Sequence, residues 1–109
     1  MERDLDLIRD ILLFVQKEEN KNKNVEIPGF SSDEIRNHVK LMHDKNLIEA
    51  QFTKSGYFIS RIKWDGYEFI KGTKDNKTWT KIKNVFLEKG IDLSIDAVIT
   101  AIKGSNLDS

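Results

Sequence analysis

Ser31-Ser32-Asp33-Glu34-Ile35-Arg36-Asn37-His38-Val39-Lys40-Leu41-Met42-His43-Asp44-Lys45-Asn46-Leu47-Ile48 is the stretch on which the fold turns. Ser31 and Glu34 have the spacing of a capping box. The serine hydroxyl and the glutamate carboxylate each take a backbone N–H that the first helical turn leaves unpaired. Ile35, Val39 and Met42 then recur at helical spacing. A helix is expected to about Asp44 or Lys45, with His38 on the border of its buried face. Leu47 and Ile48 close the packing as the chain leaves, and from Ile48 the period changes from helix to strand.

Downstream, Ile48, Ala50 and Phe52 alternate with Glu49, Gln51 and Thr53. Lys54-Ser55-Gly56 turns the chain, and Tyr57 to Lys63 returns as the second strand of a hairpin. Trp64 to Lys71 resumes helical spacing, with Trp64, Tyr67, Phe69 and Ile70 as packing residues and Gly72 as the stop. Asn76 to Lys89 sets Trp79, Ile82, Val85 and Phe86 on one face, and Gly90 ends that helix. Ser94 caps a last helix whose stripe is Ile95, Val98, Ile99 and Ile102. Gly104 to Ser109 is expected to be a disordered tail.

Upstream, Asp4 to Lys17 reads as a helix. Leu5, Ile8, Ile11, Leu12 and Val15 share a face, and Leu7 and Phe14 widen it, so this helix packs on two sides. Lys17 to Asn24 contains no apolar residue and reads as a fraying helix end followed by a surface loop. Val25-x-Ile27 reads as a very short strand ended by Pro28-Gly29. The fold class is therefore α+β, in the order helix, short strand, helix, β-hairpin, helix, helix, with a small antiparallel sheet. One domain is expected over residues 1–109. Residues 1–72 form its core unit, and two C-terminal helices over 73–103 pack back on the first helix. One cluster should join Ile8, Leu12, Ile35, Val39, Leu47, Phe69, Trp79 and Val98.

The 109 residues carry 18 basic and 18 acidic side chains and no cysteine. Net neutrality gives no global pull toward nucleic acid or a membrane. Disulfides and cysteine zinc sites are excluded, and the absence of thiols fits a cytoplasmic setting. The longest apolar run, Ile11 to Val15, is too short for a bilayer, and Met1-Glu2-Arg3-Asp4 lacks the order of a signal peptide. His38 and His43, five residues apart, point roughly 140° apart on a helix and cannot share a metal. There is no cysteine nucleophile, HExxH motif or glycine-rich phosphate loop, so no cofactor and no enzymatic activity are expected. Trp64 and Trp79 read as core anchors rather than a ligand cage.

A helix followed at once by a twisted hairpin is the back half of a winged helix. Ser31–Ile48 resembles the recognition helix of MarR- or ArsR-type regulators, with His38, Leu41 or Met42, Asn46, Leu47 and Ile48 in the places of "HxxxLxxxGLI". Ile62-Lys63-Trp64-x-Gly66-x-x-Phe69-Ile70 similarly resembles the passage after many wings. Nearly the whole chain resembles a family of small, uncharacterised bacterial and bacteriophage proteins carrying a domain of unknown function. That resemblance rests on Arg3 to Arg9, Gly29-Phe30, His38 to Met42, Leu47 to Ala50, Trp64-x-Gly66-x-Glu68-Phe69 and Trp79. It implies a fold and a frequent association with phages and prophages, but no activity. Only about a dozen residues separate the first helix from Ser31, so a full supporting helix does not fit between them.

Two functions remain open. The first is binding of double-stranded DNA in a regulatory role. Arg36, Asn37 and Lys40 project away from the apolar stripe, and Lys54, Arg61 and Lys63 lie in a hairpin with no acid from Gln51 to Lys63. The second is a non-enzymatic protein–protein module that binds a host or phage factor, as monomer or homodimer, with no membrane contact. Neutral charge and the missing supporting helix favour it. Asp33 and Asp44 share the face of Arg36 and would repel phosphate. The hairpin lysines also fit edge-strand protection.

Overall fold

The computed structural model describes residues 4–20 and 24–104. Among them are five α-helices and one two-stranded antiparallel sheet, so the fold is α+β. Helix α1 (Leu5–Gln16) starts at Asp4, whose carboxylate accepts the Leu7 N–H at 3.1 Å. A single 3₁₀ turn, Glu18–Asn20, follows it. Helix α2 (Ser32–Asp44) opens with the expected capping box. Ser31 Oγ accepts the Glu34 N–H at 3.1 Å, and Glu34 Oε1 accepts the Ser31 N–H at 3.0 Å. Strands β1 (Ile48–Phe52) and β2 (Tyr57–Ile62) pair from Ile48–Ile62 to Phe52–Tyr57, with a bulge between Glu49 and Ala50. Then come α3 (Trp64–Thr73), α4 (Asn76–Lys89) and α5 (Ile95–Gly104).

Two helix ends are made by residues that tolerate a left-handed backbone. Asn46, at φ 63°, ends α2; its N–H donates to the His43 carbonyl, and the Leu47 N–H donates to the Met42 carbonyl. This is a Schellman motif with asparagine in the place glycine usually takes, and its two apolar partners, Met42 and Leu47, are fully buried. Gly90, at φ 67°, closes α4 in the same way through Leu87 and Phe86.

The core joins all eight residues expected of it and draws on every helix. Helix α3 is its hub, packing on α1, α4 and α5. The C-terminal helices thus lie chiefly on α3 rather than on α1, which reaches α4 through polar side chains. Arg9 donates to the Thr73 carbonyl at 2.6 Å, the Lys74 carbonyl at 3.0 Å and Asn76 Oδ1 at 2.6 Å. Those carbonyls sit where α3 runs out of its own donors, so the guanidinium acts as its C-terminal cap. Asp6 Oδ1 accepts the Trp79 indole N–H at 2.7 Å and the Lys83 ammonium at 3.0 Å.

Several expectations are corrected. Val25–Ile27 forms no strand. Val25 is buried and Ile27 half-buried, but the Phe30 N–H already donates back to Ile27 O, and the sheet among the described residues is β1 and β2 alone. Gly72 does not stop α3: the helix runs one residue further, and Gly72 is buried against Ile102, whose atoms would lie 2.5 Å from an added Cβ. Trp64 and Tyr67 are not packing residues, being 75% and 55% exposed, and Val85 lies at the surface. Gly104 is the last residue of α5, and the tail expected over 105–109 lies outside the described residues, as does the loop at 21–23.

Gly66 is where α3 meets the hairpin base. A Cβ there would collide with the Leu47 carbonyl oxygen and sit 2.7 Å from Ile62 Cγ2. Backbone cannot retreat as a flexible side chain can, so Gly66→Ala should lower stability by about 3 kcal/mol. Gly56→Ala, with nothing within 4 Å of the new atom, should stay near wild type in the same thermal melt.

Asp6 supplies a pH signature. Partial burial raises its pKa, but the Trp79 and Lys83 donors outweigh this and hold it below the ordinary carboxyl value. A depressed folded-state pKa gives stability that is present above the unfolded value, about 4, and is lost as pH falls through the folded one. Asp6→Asn should cost about 1 kcal/mol or less at pH 7, given the exposure of the pair, and that gap should close in melts below about pH 4.

Candidate nucleic-acid interface

Helix α2 turns two faces in opposite directions. Ile35, His38, Val39 and Met42 are buried, whereas Asp33, Asn37, Lys40 and Asp44 are exposed. His38 is not the border residue expected; it is 2% exposed. Its Nε2 accepts the Asp4 N–H at 3.0 Å, and Nδ1 lies 2.8 Å from the Glu34 carbonyl. An acceptor at Nε2 and a donor at Nδ1 define one neutral tautomer; Nε2 joins α1 to α2, and Nδ1 holds the ring on its own helix. His43 accepts the Ala50 N–H at 3.2 Å through Nδ1 and meets Phe52 edge-on, which fixes α2 on β1.

The hairpin turn is closed by Thr53, whose N–H donates to Gly56 O at 2.8 Å and whose hydroxyl accepts the Gly56 N–H at 3.1 Å. Arg36 reaches across from α2 and donates to the Thr53 carbonyl at 3.2 Å. This bond brings the turn, with exposed Lys54, beside the middle of α2, where Asn37 and Lys40 face solvent. Four of the six sequence-derived residues therefore share one edge.

The other two stand apart. Arg61 and Lys63 lie at the hairpin base, four and six residues beyond Tyr57, or about 13 and 20 Å at the usual strand rise. Arg61 Nη2 is 3.4 Å from Glu49 Oε2, and this pairing, together with Ser60, holds the Glu49 carboxyl below its usual value. Lys63 donates to Asn46 Oδ1 at 3.3 Å. The hairpin basicity expected from Gln51 to Lys63 is thus partly spent, because Glu49, just outside that window, sits opposite Arg61.

A second group of cations escaped the sequence reading. Lys71, Lys74, Lys77 and Lys81 are all exposed, with Lys71 on α3, Lys74 at the corner between α3 and α4, and the other two on α4. Counting charge in a sliding window would have found them; a whole-chain balance hides them. Among the described residues, no group of three or more histidine, cysteine or acidic side chains could hold a metal, and no helix is long and apolar enough to cross a membrane.

The chain belongs to the family described as "Hypothetical protein (DUF2513)", which matches residues 2–92, so the match ends before α5. It is also similar to a Haemophilus influenzae protein described as "Uncharacterized protein", at 29% identity over 106 residues, covering 90% of this chain and 89% of that one. No solved structure matches.

Arg36→Ala should leave the fold intact, since a single partly exposed hydrogen bond contributes about 1 kcal/mol. It should nevertheless free the turn. Amide exchange at Thr53 and Gly56 should quicken while exchange in α1 and α3 stays unchanged.

Proposed function

We propose that this protein is a non-enzymatic, winged-helix-like module, of phage or prophage type, that binds double-stranded DNA in a regulatory role in the cytoplasm. In this proposal α2 enters the major groove and the β1–β2 hairpin lies along the backbone as a wing. The Arg36–Thr53 bond carries the reading, because it keeps Asn37, Lys40 and Lys54 on one edge. Asparagine offers a donor and an acceptor to a base edge, and the two lysines suit flanking phosphates. Arg61 and Lys63 act as secondary contacts, since each must first leave an internal partner.

A second reading, a module for a host or phage protein, draws on a different observation. Leu87 and Ile91 at the end of α4 are 79% and 49% exposed. Apolar side chains of that size in open solvent suit a protein contact.

Fluorescence anisotropy with random and low-GC duplexes at several salt concentrations separates the two. DNA binding through the α2 edge should give a log–log salt slope that falls in magnitude by about 2 when Lys40 and Lys54 are both changed to alanine, at roughly 0.9 per phosphate contact. Asn37→Ala should alter sequence preference and leave the slope in place. Affinity weaker than about 10⁻⁴ M for every duplex at low salt would reject DNA in favour of the protein partner.

A further inference from the structure

We propose that the outer face of α3 and the α3–α4 corner form a second surface, one that binds single-stranded nucleic acid. Trp64, Tyr67, Lys71 and Lys74 are spaced three, four and three residues apart, which keeps them within roughly 80° of one another around the helix. The backbone is still helical at Lys74, with φ −59° and ψ −42°. The stripe is two rings, 75% and 55% exposed, followed by two exposed lysines, and Lys77 and Lys81 carry the charge onward along α4.

The local charge is large for a neutral protein. Residues 71–83 contain five lysines and a single acid, Asp75. That carboxylate is engaged as the cap of α4, accepting the Lys77 N–H at 3.2 Å and the Thr78 hydroxyl at 3.1 Å. Lys83 differs from the other four: it turns to Asp6 and lies 5.3 Å over the Trp79 ring. On α3, Asp65 is neutralised by Lys103 at 2.9 Å, and Glu68 flanks the stripe half-buried. The corner is held by Arg9, which clamps the Thr73 and Lys74 carbonyls and Asn76, so its lysines project from fixed backbone.

The ligand class follows from the two chemistries in line. Solvent-facing ammonium groups in a row match a polyanionic backbone. Exposed indole and phenol faces match bases that are not already stacked, and stacking tolerates any sequence because every base has a π-face. A duplex offers the phosphates but hides the base faces. A single strand offers both.

The protein carries its own reporter. Trp64 is in water, whereas Trp79 is 2% exposed with its indole N–H on Asp6. Titration with a 20-nucleotide oligothymidylate at low salt should quench the Trp64 emission, and Trp64→Phe should abolish the quench. By anisotropy on the labelled strand, Trp64→Ala with Tyr67→Ala should weaken binding at least tenfold. Lys71→Ala with Lys74→Ala should reduce the salt slope by about 1.4, at roughly 0.7 per phosphate of a single strand. Lys54→Ala should change neither result, which separates this surface from the α2 edge and leaves the test valid if duplex binding fails. All these side chains are exposed, so circular dichroism should report wild-type folding. No quench and no anisotropy change up to about 10⁻⁴ M strand, weaker than ordinary non-specific affinity, would overturn the proposal. So would duplex binding of equal strength that ignores the loss of both rings, or a concentration-dependent self-association removed by Trp64→Ala.

Discussion

The Leu47 carbonyl is the point on which the architecture depends. It accepts the Lys63 N–H at 2.9 Å, which ties the exit of β2 to the entry of β1. Gly66 lies directly against the same oxygen, so α3 can pass only because that residue has no side chain. Helix α3 in turn supports α1, α4 and α5. A displaced α3 would therefore unseat most of the core, not one contact of it. The Leu47 N–H, bonded to the Met42 carbonyl, closes α2 at the same residue, so Leu47 sets the end of a helix, the base of the hairpin and the seat of the next helix.

Much of this was legible because it is local. The capping box, the hairpin alternation and the αL glycine at Gly90 depend on residues within a few positions of one another. Trp64 and Tyr67 mislead because large aromatic side chains at helical spacing ordinarily signal burial, whereas here both rings face solvent. The inner face of α3 is Gly66, Phe69, Ile70 and Thr73, a regular helical pattern whose small first residue disguised it. Gly72 was misread for the converse reason: glycine commonly ends helices, but here its missing side chain makes room for Ile102, thirty residues on.

The candidate site was legible in kind and not in arrangement. Which cations a chain contains is written in the sequence; which of them are already satisfied is not. Arg61 meets Glu49 only through the register of a bulged hairpin, and Arg36 meets Thr53 only because α2 leans on β1. Neutrality was the most misleading single number, since the lysines from 71 to 83 are balanced by acids elsewhere along the chain.

The bonds that hold α1 to α4 have a consequence for how the chain reaches this state. Asp6 meets Trp79 across 73 positions of sequence, and Arg9 meets Asn76 across 67. The α2–hairpin unit, by contrast, is built almost entirely from neighbours. Closing long loops costs entropy that local contacts do not, so the middle of the chain is the natural nucleus and α1 docks late. During synthesis the first helix emerges from the ribosome before any of its partners in α3 and α4. Its wide apolar face can meet α2 early, but the side that packs on α3 stays uncovered until Thr73 has been made.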